Sequence, residues 1–202
     1  MDPAQTGTAG GSPDDSLGRR LRDLREARGI SLRQLARELG ISASAVSQME
    51  RGLIKPSVSR LIAIVTLLDV PLSEVFGSDG DHAAQGKVAN SESLRVLRAG
   101  EVDAITLTSG VVYRRLSPPV PGTEFFESTY PPAGASGSQG EFITHPGIDA
   151  GYVTAGRVTV WSGDTRVDLN AGDSVALEAG IPHRIENPDH ERPAVLIWVT
   201  VR

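Results

Sequence analysis

The apolar residues of this chain change their period once, near Phe76, and no single packed layer can serve both patterns. Up to about Phe76 they recur at helical spacing: Leu17, Leu21 and Leu24, then Leu32, Leu35, Ala36 and Leu39, then Val58, Leu61, Ile62, Val65 and Leu68. From Ser91 onward they alternate in short runs: Leu94–Leu97, Ala104–Leu107, Val111–Leu116, Glu124–Tyr130, Gly151–Thr154, Arg157–Trp161, Arg166–Leu169, Ser174–Leu177 and Ala194–Val201. Short strands separated by Gly, Pro and Ser predict a sandwich or barrel. The chain is therefore of the α+β multidomain class. Residues 1–15, a Gly/Ser/Thr/Ala/Pro mixture, read as a disordered tail, 16–76 as a helical domain, 77–90 as a linker and 91–202 as an all-β domain.

Charge divides at nearly the same place. Residues 15–60 carry ten basic and five acidic side chains, whereas residues 61–202 carry ten basic and eighteen acidic ones. A basic segment beside an acidic one suits a polyanion-binding module joined to a domain with another task, even though the net charge is −5. The chain has no cysteine, which excludes a disulfide scaffold and any zinc finger built on thiolates. Its long apolar runs, such as Leu61–Val65 and Val195–Val199, fall far short of the roughly 20 residues that span a bilayer. The first residues lack an apolar signal segment, so a soluble, cytoplasmic protein is expected.

Within the helical half, residues 30–52 carry the strongest pattern. Ser31 caps one helix, which passes through Leu35 and Ala36 and stops at Gly40; Ser42 caps a second, with Val46 and Met49 facing inward. Small Ala36 permits a close crossing, Gly40 tolerates positive φ, and Ile41 plugs the angle between the helices. This is a helix-turn-helix. Through Leu35-Ala36, Gly40-Ile41-Ser42, Val46-Ser47, Glu50-Arg51-Gly52, Pro56-Ser57 and the Leu61/Leu68 ladder, residues 17–76 resemble the five-helix DNA-binding domain of the lambda repressor and Cro family, often called the Xre family.

The resemblance implies that the second helix of the motif enters the major groove, with Ala43, Ser44, Ser47 and Gln48 facing the bases. Gln48 is the strongest reader of these, because its amide can pair with adenine N6 and N7. Leu32 stands where the family often has a polar phosphate contact, which shifts that duty to Ser31, Arg33, Arg51, Lys55 and Ser57. Arg19 and Arg20 are expected to flank the same surface. The resemblance further implies a structural ion pair between Arg25 and Glu50.

In the β half, Gly137, Ile143, His145, Asp149 and Gly156 resemble the first cupin motif by their spacing, and Gly172, Glu178-Ala179-Gly180, His183 and Asn187 resemble the second. A cupin is a small barrel of the double-stranded β-helix type, two facing sheets with a site between them. The usual first ligand is replaced by Ile143, and Asp149 stands where Glu is usual. His145, Asp149 and His183 remain, the composition of a two-His-one-carboxylate set for Fe, Mn, Zn or Ni with open positions, or of a polar pocket without metal. Phe126, Tyr152 and Trp198 are candidate pocket walls, and the Tyr130–Gly140 segment a candidate mobile cover. His82 and His190 are read as solvated.

Two functions from different classes follow. Helix-turn-helix followed by cupin is a familiar arrangement in bacterial regulators, which implies a sequence-specific transcriptional regulator that binds a double-stranded operator and senses a small-molecule effector. A homodimer through the barrel is expected, because Ala194–Val199 is apolar on both faces of its strand. The alternative is a non-haem iron oxygenase, since some phosphonate epoxidases pair a helix-turn-helix-like domain with a cupin; His145, Asp149 and His183 would then be its iron ligands. The regulator reading is preferred because the DNA-binding features are retained, and no enzyme activity is expected.

Overall fold

A computed structural model describes residues 13–76, 94–98, 104–137 and 140–202. The linker expected at 77–90 and His82 lie outside the described residues, as do residues 1–12 of the expected tail. Helix α1 (Pro13–Ala27) starts before the tail was expected to end, so Pro13–Asp15 are helical. It is followed by α2 (Leu32–Glu38), α3 (Ala43–Glu50) and α4 (Val58–Leu67). The fifth helix of the expected bundle is a correction: Leu72–Phe76 forms a single 3-10 helix. Five residues after Pro71 are too few for a lasting α-helix, but they bury Leu72, Val75 and Phe76 on one side.

Serine begins three of these helices. The hydroxyls of Ser31, Ser42 and Ser57 accept from the backbone N–H of Gln34, Ala45 and Arg60, each at 3.1 Å. At the corner between α2 and α3, Gly40 takes φ +64°, and the Ile41 N–H reaches back to the Ala36 carbonyl at 3.0 Å. Arg60 on α4 donates to the Leu39 carbonyl at 2.8 Å, closing the end of α2. Leu17, Leu21, Leu35, Val46, Leu61 and Val65 fill the centre of the bundle.

Helix α1 crosses the end of α3 at Gly18. A Cβ there would stand 2.5 Å from the Met49 carbonyl oxygen and 2.8 Å from the Gly52 nitrogen, both backbone atoms without freedom to turn aside. Gly18→Ala is therefore expected to destabilise the domain by about 1 to 3 kcal/mol, read as a lowered midpoint in urea unfolding followed by helical circular dichroism.

Among the described residues, the β domain has nine strands: β1 (Ala104–Thr106), β2 (Val112–Arg115), β3 (Thr123–Tyr130), β4 (Ile148–Ala155), β5 (Arg157–Ser162), β6 (Thr165–Asn170), β7 (Ser174–Glu178), β8 (His183–Glu186) and β9 (Ala194–Val201). They form a six-stranded sheet in the order β1-β2-β3-β9-β4-β7 and a three-stranded sheet in the order β6-β5-β8. All the pairings are antiparallel. The two sheets hydrogen-bond separately, so the expected barrel is a cupin-like sandwich that does not close. The run Leu94–Leu97 forms no strand, and β8 was not foreseen. Among the described residues, no helix is long and apolar enough to cross a membrane.

Strand alternation fixes what lines the interior. On β9, Ala194, Leu196, Trp198 and Thr200 point inward, and on β4 Asp149, Gly151 and Val153 do the same. Phe126 pairs with Trp198 across β3 and β9, so both stand on this face. Tyr152 does not; it is 48% exposed on the opposite face of the sheet.

The Tyr130–Gly140 segment is no mobile cover where it is described. Ala135 bridges Glu186, the Ser136 N–H donates to the Ile185 carbonyl at 2.8 Å, and the Ser136 hydroxyl accepts from the Ile185 N–H at 3.0 Å. The same segment seats the helical domain. The Ser59 N–H on α4 donates to the Ser136 carbonyl at 3.1 Å and the Ser59 hydroxyl to Glu141 at 2.7 Å. Nearby, the Thr108 N–H donates to the Pro56 carbonyl at 3.0 Å, and the Thr108 hydroxyl to the Lys55 carbonyl.

Candidate nucleic-acid interface and candidate metal centre

Helix α3 is held from behind by charge. Arg25 on α1 donates from Nε to one oxygen of Glu50 at 2.6 Å and from Nη2 to the other at 2.9 Å, with both residues buried. A further bond at 2.8 Å goes from Arg25 to the Ile30 carbonyl. With Val46 and Met49 buried beside Glu50, the rotation of α3 about its axis is set.

That rotation leaves Ser44 exposed and Ala43, Ser47 and Gln48 half-buried. The Gln48 amide nitrogen donates to the Ser44 hydroxyl at 3.3 Å, so the two side chains lie along one line of the helix. Arg51 is exposed at the end of α3, its Nε bonded to the Ser47 carbonyl at 3.2 Å, and Arg33 is exposed on α2. The Ser31 hydroxyl accepts in its cap and retains its own proton. Ser57 differs: its hydroxyl caps α4 and is shared with Ser59 at 2.9 Å, while Ser59 donates to Glu141. The Ser57 donor is thus committed within the fold, which argues against a phosphate contact by its side chain. Arg20, too, is engaged within the fold, bound to the carbonyl and carboxylate of Glu74 at 2.7 and 2.8 Å. Lys55 is half-buried where the chain enters Pro56.

In the β domain the fold gathers the three expected ligands into a cluster whose ligand atoms all lie within 4.8 Å of one another. His145 comes from the loop before β4, Asp149 from β4 and His183 from the start of β8, so the site bridges the two sheets. Asp149 Oδ2 lies 3.2 Å from His145 Nε2 and 3.8 Å from His183 Nε2. Each side chain is also held from outside: His145 Nδ1 lies 3.3 Å from the Pro146 carbonyl, His183 Nδ1 lies 3.0 Å from the Ile181 carbonyl, and Thr200 donates to Asp149 Oδ1 at 2.6 Å. With Nδ1 turned to a carbonyl, each ring directs its Nε2 to the centre.

Electrostatics separates the two histidines. Burial lowers the affinity of His145 for a proton, but the hydrogen bond and charge of Asp149 outweigh it, and the ring sits above its ordinary pKa. Burial also works against the Asp149 carboxylate, yet the bonds from His145 and Thr200 hold its pKa below the usual value. His183 is lowered, mainly by burial. Its Nε2 is fully enclosed with no hydrogen-bond partner among the described residues.

An orphaned buried nitrogen aimed at a carboxylate and a second imidazole is a donor set that a divalent cation fits. Two ligands about 2.1 Å from one ion stand roughly 3 to 3.5 Å apart, close to the separations from Asp149 Oδ2. Ile143 is buried and exchanges two backbone hydrogen bonds with His183, at 2.8 and 3.0 Å, so an apolar side chain fills the place of a further ligand. Sequence reasoning missed Thr200, although its place two residues after inward-facing Trp198 signals the same face.

Family comparison agrees with the two-part architecture. Residues 16–75 match the helix-turn-helix domain family and residues 126–200 the cupin domain family. The HTH-type transcriptional regulator PuuR of Escherichia coli K12 is 29% identical over 84% of this chain and 86% of its own length. The transcriptional regulator ClgR of Mycobacterium tuberculosis is 33% identical over 43% of this chain and 78% of its own. A solved HTH_3 family transcriptional regulator from Vibrio cholerae superposes over 94% of this chain and 96% of its own with a TM-score of 0.66 at 21% identity, a likeness of fold. The chain thus carries a helix-turn-helix domain, with its supporting ion pair in place, followed by a cupin domain, and it is similar over both parts to an HTH-type transcriptional regulator.

Proposed function

We propose that this DNA-binding regulator reads its operator through the outer face of α3 and answers to a small molecule held in the cupin domain. The observation that supports the first part is the fixed rotation of α3: Glu50 is locked to Arg25, which leaves Ala43, Ser44, Ser47 and Gln48 as the side we assign to the bases. Ser31, Arg33, Arg51 and Lys55 supply phosphate contacts around it. Any phosphate contact at Ser57 comes from its backbone, since its hydroxyl is engaged.

Gel-shift titration tests this on a duplex selected from a random-sequence pool and on its single-base variants. Gln48→Ala is expected to lose about 1 to 3 kcal/mol of discrimination at one adenine. Arg51→Ala is expected to weaken all duplexes alike and to reduce the salt dependence by about one counterion. Unchanged preference in the first together with unchanged affinity in the second would reject α3 as the reading helix.

In the barrel, His145, Asp149 and His183 would hold a divalent cation, and its remaining positions would be open to an effector carrying oxygen or nitrogen donors. Trp198 and Phe126 offer that effector an apolar wall. The barrel is read as a sensor rather than a catalyst, in keeping with the regulators it resembles. Dimerisation is assigned to the outer face of the six-stranded sheet, where Ile148, Tyr152 and Val201 are exposed around Ile197 and Val199. Such a regulator works in the cytoplasm, beside its DNA.

A further inference from the structure

Glu124 stands buried on β3 and belongs to both domains at once. In the register of the six-stranded sheet it lies opposite Thr200 on β9, and Thr200 lies opposite Asp149 on β4. All three side chains are buried on the inward face. Since Thr200 donates to Asp149 at 2.6 Å, one cross-strand row leads from the carboxylate between the two histidines to Glu124.

The other side of Glu124 faces the DNA-binding domain. Its Oε1 accepts from the Ser73 N–H at 3.4 Å, and its Oε2 lies 3.7 Å from Arg202. Ser73 sits in the 3-10 helix, whose Glu74 is gripped by Arg20 of α1. On that same helix, Arg25 holds Glu50, the last residue of α3. One cross-strand neighbour pair, Glu124 and Thr200, and then bonded groups and helix α1 thus lie between the cluster and α3.

A buried carboxylate is stable only while opposite charge and donors surround it. Burial raises the pKa of Glu124 against the pull of Arg202, of the Ser73 and Leu72 amides and of His145, so the group senses both domains. It also has room to change partners, because it lines a cleft of about 340 Å³ between the domains with Pro71, Ser73, Pro121 and Arg202.

We propose that Glu124 is the positioning residue through which occupancy of the His145, Asp149 and His183 cluster alters DNA binding. Charge added at the cluster redistributes the Glu124 carboxylate between the barrel row and the Ser73 amide, and so changes how the 3-10 helix and α1 are seated. The proposal rests on the reading of the cluster as a cation site. Such coupling is a free energy shared by the two sites.

The measurement uses the full chain, Mn(II) as the probe, calorimetry for metal uptake and fluorescence anisotropy on the selected duplex for DNA affinity. Wild-type protein is expected to change its DNA affinity by about five-fold or more on Mn(II) addition, in either direction. Glu124→Gln keeps an oxygen for the Ser73 N–H but loses the charge. It is expected to bind Mn(II) as wild type does while the ratio of DNA affinities falls to near one. Arg20→Met, which cuts the link between the 3-10 helix and α1, is expected to give the same pattern and carries the test if the first variant folds poorly. A wild-type ratio in both variants overturns the proposal. Mn(II) uptake without any change in wild-type DNA affinity overturns it too, but leaves the cation site standing. Absence of Mn(II) uptake removes the cation reading along with it.

Discussion

Glu50→Ala is expected to cost the DNA-binding domain about 3 to 5 kcal/mol, and with it nearly all DNA binding. The carboxylate meets Arg25 through two bonds, at 2.6 and 2.9 Å, where neither residue reaches bulk water. Removing it strands a guanidinium that cannot shed its proton and has only the Ile30 carbonyl and an exposed edge of Glu26 to turn to. A loss of this size is a large part of the stability of a small domain. Urea unfolding followed by far-ultraviolet circular dichroism measures it, with gel shift on the same preparation. The replacement of both partners, Arg25→Met with Glu50→Leu, separates charge from packing: it is expected to recover most of the stability, because an apolar pair leaves nothing unsatisfied. If Glu50→Ala unfolds at the wild-type urea concentration, the ion pair is not what holds α3.

Asp149→Ala is expected to abolish stoichiometric binding of a divalent cation. Asp149 is the sole carboxylate of the cluster, and its Oδ2 faces both Nε2 atoms. Without it, two neutral imidazoles remain, one of them no longer held toward the centre. Thr200→Val removes only the hydroxyl that orients Asp149, and an orienting partner of this kind is typically worth about 10- to 100-fold in metal affinity. Elemental analysis after reconstitution with Fe(II), Mn(II), Zn(II) or Ni(II), followed by calorimetry with the ion retained, distinguishes the two variants. Stoichiometric metal in Asp149→Ala would place the cation elsewhere. Bound iron that supports no oxidation would leave the regulator reading intact and count against the oxygenase alternative.

The helical half was legible because its signals are local. Gly40 and the serines at 31 and 42 act within one turn of themselves, and a single sequence displays them. Ser57 shows the limit of that reading. A serine before a helix can cap it or meet a phosphate, and only the positions of Ser59 and Glu141, far apart in the chain, decide for the cap. The 3-10 helix escaped for a related reason: Leu72, Val75 and Phe76 have helical spacing, and that spacing alone does not separate a short 3-10 helix from an α-helix.

In the β half, spacing alone brought out His145, Asp149 and His183, since metal-ligand patterns survive in sequence. Strand β8 did not stand out because His183, Arg184, Ile185 and Glu186 contain one apolar side chain, and a buried histidine does not register as hydrophobic. Tyr152, a candidate pocket wall by its aromatic side chain, lies on the outer face, as alternation from Asp149 dictates. The role of the Tyr130–Gly140 segment was hidden more deeply. Its small residues suggest freedom, yet Ser136 is fully enclosed, pinned by Ile185 on one side and Ser59 on the other.

That pinned segment makes the β domain a mount for the helical domain. Main-chain bonds from Ser59 to Ser136 and from Thr108 to Pro56 leave the head little freedom to swivel on a tether. In a two-fold dimer, two heads mounted in this way behave as the jaws of a caliper. On the proposed reading, their opening would be set by the β domains, and the distance between half-sites would be read by the cupin domain alongside the bases assigned to α3. Half-sites one helical turn apart, about 34 to 36 Å, or a multiple of it, present the same groove to both jaws. A signal that tilts the mount then changes which spacing fits, without altering a single contact to a base.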